Sequence, residues 1–214
     1  MKTIQKIAGG IALAGALVFG HANAQNKLYA EAIKSEKENS SYFRGNANYN
    51  LPADIKGYTF GEFYGDGNSY FSKTTLSRNI HGNFGVQTQA VVGSGLTDRL
   101  SVGPNVVIPT SEGTFAKMYW MPAWITAAKG KKVENRSMLG YFVSANLPLG
   151  FTASSFGELN IAGKNGAEWG YGEISVGREI ADRLRVSYNP ALKNNGIGEA
   201  VPKLEHRLNL MYDF

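Results

Sequence analysis

The 214-residue chain contains no cysteine, only three histidines, and few charges for its length. The missing thiols exclude a disulfide scaffold, a thiolate zinc site and a cysteine nucleophile, and leave the compartment open. Charged residues make up 18% of the chain, against roughly 25% in soluble domains. After residue 24 no apolar run approaches the roughly 18 residues that mark a transmembrane helix. Glycine, by contrast, is plentiful: 26 residues, or about 12%, against an average near 7%. So are aromatic side chains, with 11 Phe, 11 Tyr and 3 Trp. This load argues against a helical bundle. The length allows one domain, or two small ones, with enough chain for a core or a closed sheet.

Met1 to Ala24 reads as a secretory signal. Lys2 and Lys6 supply the positive start, Ile7 to Phe19 is apolar or small, and Ala22-Asn23-Ala24 offers small side chains at a cleavage site. The apolar run is too short for a spanning helix, which needs roughly 20 residues. Its removal takes two lysines from the 22 basic side chains and none from the 17 acidic ones, leaving a net charge of +3. With so little basicity, no nucleic-acid partner is expected. Residues 25–40 are expected to form a short solvated N-terminal periplasmic arm. Lys27 to Glu38, with Leu28, Ala32 and a charge run, is the one stretch that could be helical. Residues 41–214 are expected to form the folded domain.

That domain reads in twos. On a strand, successive side chains point to opposite faces, so a half-apolar strand repeats every second residue. Leu208, Leu210, Tyr212 and Phe214 alternate with Arg207, Asn209, Met211 and Asp213. Leu184, Val186 and Tyr188 alternate with Arg185, Ser187 and Asn189. The same pattern runs through Val86 to Val92, Leu100 to Ile108 and Leu139 to Leu147. Tyr58, Phe60 and Tyr64 alternate with Thr59 and Gly61, with Glu62 out of place on the aromatic face. Turn clusters separate these runs: Leu51-Pro52-Ala53-Asp54, Gly65-Asp66-Gly67-Asn68, Asn79 to Asn83, Gly93-Ser94-Gly95, Ser111-Glu112-Gly113, Pro148-Leu149-Gly150 and Gly163 to Gly166. Such residues tolerate positive φ or preset a turn. The reading is an all-β antiparallel meander.

Two folds accommodate this pattern. A soluble sandwich turns its apolar faces inward. A membrane barrel inverts this, setting apolar residues against lipid and polar or small ones in the lumen. The polar faces here are Gly, Ser, Asn and Gln with scattered charges, unlike a Lys/Glu-rich soluble surface. Aromatics gather near strand ends, at Tyr42, Phe43, Tyr70, Phe71, Tyr119, Trp120, Trp124, Phe151 and Trp169, where interfacial girdles are expected. The inverted solution is therefore expected: an up-and-down transmembrane β-barrel.

The segment His206-Arg207-Leu208-Asn209-Leu210-Met211-Tyr212-Asp213-Phe214 resembles the closing strand of bacterial outer-membrane β-barrels, including the small porin and transporter-like ones. The resemblance implies an outer-membrane location. It also implies that Leu208, Leu210, Tyr212 and Phe214 form the recognition tag for the barrel-assembly machinery. A second stretch, Gly95-Leu96-Thr97-Asp98-Arg99-Leu100-Ser101-Val102, looks like a periplasmic turn of such barrels and recurs as Ile180-Ala181-Asp182-Arg183-Leu184-Arg185-Val186.

About eleven candidate strands can be counted, whereas bacterial barrels hold an even number. If the chain ends on the periplasmic side and both Asp-Arg-Leu turns are periplasmic, four strands precede Asp98 and an even number separates Asp98 from Asp182. Five are visible in that interval. Leu100 to Ile125, interrupted by Pro104, Pro109 and Pro122, is the stretch most open to miscounting, because proline cannot donate to a ladder. Ten strands are expected, with eight and twelve as alternatives. Ala127 to Arg136 and Pro190 to Lys203 are expected to be extracellular loops.

Catalytic chemistry is not visible. His81 lies in a turn cluster, and His206 begins the last strand, at an interfacial or lumen-rim position. Neither has a serine or carboxylate at motif spacing. No metal-ligand cluster, nucleotide loop or cofactor motif stands out. Lys129-Gly130-Lys131-Lys132 could meet lipopolysaccharide phosphates or simply form a solvated loop. The lumen candidates are Lys73, Gln87, Gln89, Asn105, Glu158, Glu173, Arg178, Arg185, Asn189 and Arg207. Such side chains either pair and plug the interior or line a wet path. Two functions are therefore weighed: a passive porin for small polar solutes, and a non-transporting scaffold, adhesin or surface-interaction barrel. The expected partners are outer-membrane lipids and lipopolysaccharide, the assembly machinery and, if the lumen is open, a small polar solute. Deleting Phe214, or replacing it by Ala, is expected to lower the yield of barrel in the outer-membrane fraction without altering the lumen. An unchanged yield at ordinary expression would remove the tag assignment.

Overall fold

The computed structural model describes residues 27–35, 41–94, 99–126, 136–162, 166–193 and 203–214. The proposed signal and the basic run at Lys129 lie outside these residues. Among them, fifteen strand segments follow one another: β1 Lys27–Ser35, β2 Ser41–Leu51, β3 Ile55–Tyr64, β4 Tyr70–His81, β5 Phe84–Gly93, β6 Arg99–Ile108, β7 Thr114–Met121, β8 Ala123–Thr126, β9 Arg136–Asn146, β10 Phe151–Ala162, β11 Gly166–Ala181, β12 Leu184–Tyr188, β13 Ala191–Lys193, β14 Lys203–Glu205 and β15 Arg207–Asp213. Every pairing is antiparallel.

The ring contains twelve staves. β7 and β8 both pair with β6 and form one stave broken at Pro122. β12 and β13 form another, broken at Asn189-Pro190, and β14 and β15 a third, broken at His206. Proline lacks the N–H that a ladder needs, so two of the three breaks fall beside one. β10 pairs with β11, and β1 pairs with β15 from Tyr29 opposite Asp213 to Ser35 opposite Arg207, so the cylinder is closed.

This corrects the expected count of ten and the expected arm. Lys27–Ser35 is a strand, held by β2 on one side and β15 on the other. It was hard to read because its outer face is Leu28, Ala30, Ala32 and Lys34, too small and charged to show a strong alternation. Its inner face carries Glu31, which is 4% exposed. The eleven strands visible in the sequence plus this one make twelve. The five counted between Asp98 and Asp182 are present. What fails is the assumption that the two Asp-Arg-Leu segments share an end. With five staves between them they sit at opposite ends, and the likeness reflects turn-to-strand chemistry alone.

The connections sort by end. At one end lie 52–54, 82–83, 109–113, 147–150 and 182–183, two to five residues each, together with Lys27 and Phe214. Ala53, Asp54, Leu149 and Arg183 take positive φ in these tight turns. At the other end lie the turn at 65–69 and the strand ends Ser35, Gly93, Thr126, Ala162 and Lys193. Both connections expected as extracellular loops lie mostly outside the described residues. Ala191–Lys193, expected within one of them, is strand. In the turn at 65–69 the Asp66 carboxylate accepts from the Ser69 hydroxyl and from the N–H groups of Asn68 and Ser69. These bonds hold its pKa below the ordinary carboxylate value.

Polarity is inverted. Leu100, Val102, Ile174, Val176, Leu208 and Leu210 are 41–57% exposed on the outside, whereas Arg207, Asn209, Gln87, Gln89 and Asn105 are at most 3% exposed inside. A soluble protein would reverse this, because unpaired burial of polar groups costs more than burial of apolar ones gains. The outer face of β7 carries Met118 and Trp120. Three aromatics expected in the girdles point inward instead: Tyr42, Phe71 and Tyr119.

Gly103 marks a close approach. The break at Pro122 brings the Trp120 carbonyl over it, and a Cβ there would lie 1.8 Å from that oxygen and 2.9 Å from Pro122 Cδ. Gly45, on the outer wall, has nothing within 4 Å of its would-be Cβ. Gly103→Ala is expected to lower stability by roughly 1–3 kcal/mol through overpacking, while Gly45→Ala leaves it unchanged. Urea titration of the two refolded variants in detergent checks the contrast.

Candidate functional site: the lumen

The inward side chains follow from the register. Glu62 on β3 faces Arg44 on β2, and Phe60 faces Asn46, so even-numbered positions of both strands line the lumen. The aromatic face Tyr58, Phe60 and Tyr64 is thus a lumen face, and Glu62 is at home there. Parity alone cannot tell which face meets lipid when both are partly aromatic. The outward counterparts are Thr59 and Gly61.

Of the expected lumen residues, Lys73, Gln87, Gln89, Asn105, Glu158, Glu173, Arg185, Asn189 and Arg207 occupy inward positions. Arg178 does not. It shares the outer face of β11 with Ile174, Val176 and Ile180, and its guanidinium lies 5.5 Å from the Phe151 ring centroid. The charge suggested a lumen position, but its parity with Ile174 and Ile180 decides otherwise. His206 also faces outward, stacked on Tyr188 with ring centroids 6.0 Å apart and hydrogen-bonded to its hydroxyl.

Two polar clusters organise the lumen. The first joins β1, β2, β3, β11, β14, β15 and Asn189 in the break between β12 and β13. Arg44 donates from Nε and Nη2 to one oxygen of Glu62 at 3.0 and 2.7 Å, with Glu173 at 3.6 Å and Glu31 at 3.8 Å. Arg207 grips Glu205 with two bonds of 3.0 Å and reaches Glu173 at 3.0 Å. Such forked guanidinium–carboxylate contacts are the strong ones. Glu173 also accepts from Tyr171 at 2.6 Å and Asn189 at 2.9 Å. Glu31 accepts from Asn46 and Asn209, both at 2.7 Å. Tyr58 donates to Asn46 and Tyr64 to Glu62. Arg44 sits 5.4 Å from the Phe60 ring centroid, and Arg207 sits 5.6 Å from that of Tyr42.

The second cluster is centred on Glu158 of β10, whose carboxylate accepts from Lys73, from Tyr119 at 2.8 Å and from Gln89 at 3.4 Å. Lys73 lies on β4, five staves from β10 one way round and seven the other, so this ion pair crosses the lumen. Arg44 and Glu173, four staves apart, also reach over the interior. Two aromatic pairs flank these clusters, Phe60 against Phe71 on β3 and β4 and Phe156 against Tyr171 on β10 and β11, with centroids 5.6 and 5.2 Å apart.

Glu31, Arg44, Asn46, Glu62, Tyr119, Glu205 and Asn209 were not among the expected lumen residues, although they carry much of this network. The missing signal was parity anchored on a known inward residue. Once Glu173 is placed inside, cross-strand pairing assigns the rest.

No protein-family model matches the chain, and no curated protein matches it in sequence. Solved structures do match its shape. A NanC porin aligns at TM-score 0.60 with 7% identity, over 87% of this chain and 100% of that one. A KdgM porin aligns at TM-score 0.56 with 7% identity, over 88% and 99%. At such identity the likeness establishes the fold: the closed antiparallel barrel of outer-membrane porins.

Removing one partner of a buried ion pair leaves its counter-charge uncompensated, at a cost of about 3 kcal/mol or more. Arg44→Met, which takes from Glu62 its 2.7 Å ion pair and from Glu31 and Glu173 a nearby positive charge, is expected to cost that much in a urea titration. Arg178→Met, on the outer wall, is expected to cost less than about 1 kcal/mol.

Proposed function

We propose that the chain is an outer-membrane barrel offering a narrow passive path to small polar solutes, without a cofactor and without catalysis. The observation that carries this reading is the polar interior inside an apolar jacket. Lys73 and Glu158, the pair that crosses the lumen, keep 12% and 16% of their side chains exposed, so solvent reaches the pair. The fold shared with NanC and KdgM porins supports it. One KdgM structure is described in complex with disordered oligogalacturonate. A path this heavily bridged suits solutes of small cross-section.

A second reading has its own support. Ile33, Ser35, Asn46 and Asn209 on one wall, and Gln89, Met121 and Met138 on the other, are less than 2% exposed. That filling favours a closed barrel serving as a scaffold, adhesin or surface-interaction protein. Planar-bilayer recording separates the two readings. Stepwise conductance well below that of a wide porin is expected from the refolded protein. Its complete absence, with heat-modifiable gel mobility showing a folded barrel, would leave the scaffold.

A further inference from the structure

We propose that the Lys73–Glu158 ion pair is a strut that sets the size limit of the path. The inference rests on the passage reading above and names the residues that decide which solutes pass.

Three observations carry it. The pair links walls five staves apart, on nearly opposite sides of the ring, and so divides the lumen at its level, whereas Arg207 contacts Glu205 on its own stave and Glu173 only two staves away. The strut is also held in place. Tyr119 and Glu158 both pair with Gly140, which lies between them on β9. A Cβ on Gly140 would fall 2.1 Å from Tyr119 Cζ, so only glycine lets that ring lie across the stave and present its hydroxyl to Glu158. On the other flank, the β10–β11 register shifts between Glu158 and Leu159, as Tyr171 pairs with the first and Trp169 with the second. A bulge of this kind re-aims nearby side chains. Third, the pair borders open space. Its side chains are 12% and 16% exposed, against 1% for that of Arg207.

The strut presents one ammonium and one carboxylate, which cancel. It therefore sorts solutes by cross-section rather than by the sign of their charge. Removing both partners together leaves no uncompensated charge in the lumen, and the Arg44 and Arg207 cluster keeps its own contacts.

The test is single-channel recording and liposome swelling with the double variant Lys73→Ala/Glu158→Ala, alongside the unaltered protein. Expected are a roughly two-fold or greater rise in conductance, faster entry of larger uncharged sugars, and an unchanged reversal potential in a salt gradient. A conducting variant beside a silent parent supports the strut equally. Should the double variant fail to insert, Lys73→Ala alone, which leaves Glu158 with Tyr119 and Gln89, must shift conductance in the same direction. If the parent conducts and a folded variant matches it in conductance and solute size, the strut falls while the passage reading stands. If neither conducts, both fall together.

Discussion

A strand edge has no hydrogen-bond partners in lipid, and each unmet N–H or C=O there costs several kcal/mol. A sheet in a bilayer must therefore close on itself. In this chain closure falls to the pairing of β1 with β15, and the rest of the structure depends on it. With the ring shut, one face of every stave is committed to hydrocarbon and the other to an interior only twelve staves wide. Away from strand ends, where Lys34 and Arg178 face out, charged side chains can then go only inward.

Once inside, those charges have to find one another. Desolvation penalises an unpaired guanidinium or carboxylate heavily, so the interior is a connected network. Arg44 alone lies within 4 Å of three carboxylates, from β1, β3 and β11. Tyrosines and asparagines supply the remaining donors, which is why so many aromatics point into the lumen. Each is an amphipathic filler whose ring covers a wall while its hydroxyl meets a carboxylate. The glycines follow the same logic. Gly140 and Gly103 clear space for a ring and for a carbonyl, respectively. The pairing that stabilises the barrel also narrows it, so stability and permeability oppose each other here.

Much of this was legible from spacing. The period of two fixed the fold class. Most turn clusters fell where strands end, and nine of the ten lumen candidates face inward. The failures share a cause. In β1 small outer residues muted the alternation and a charge run looked solvated. On β3 both faces carried aromatics or glycine, so the wetter face could not be chosen. Arg178 was chosen for its charge against its parity. The Asp-Arg-Leu repeat was given topological meaning although it encodes only how a turn enters a strand.

Local alternation is a property of neighbouring residues, so the sequence by itself determined that this chain makes amphipathic strands with an inverted allocation of polarity. How many strands close the ring, and which walls face each other, depends on pairings between residues far apart in the chain. The contact of Lys73 with Glu158, 85 positions away, has no local signature. Only the closed cylinder brings their two walls within a side chain's reach, because its circumference decides what stands opposite what.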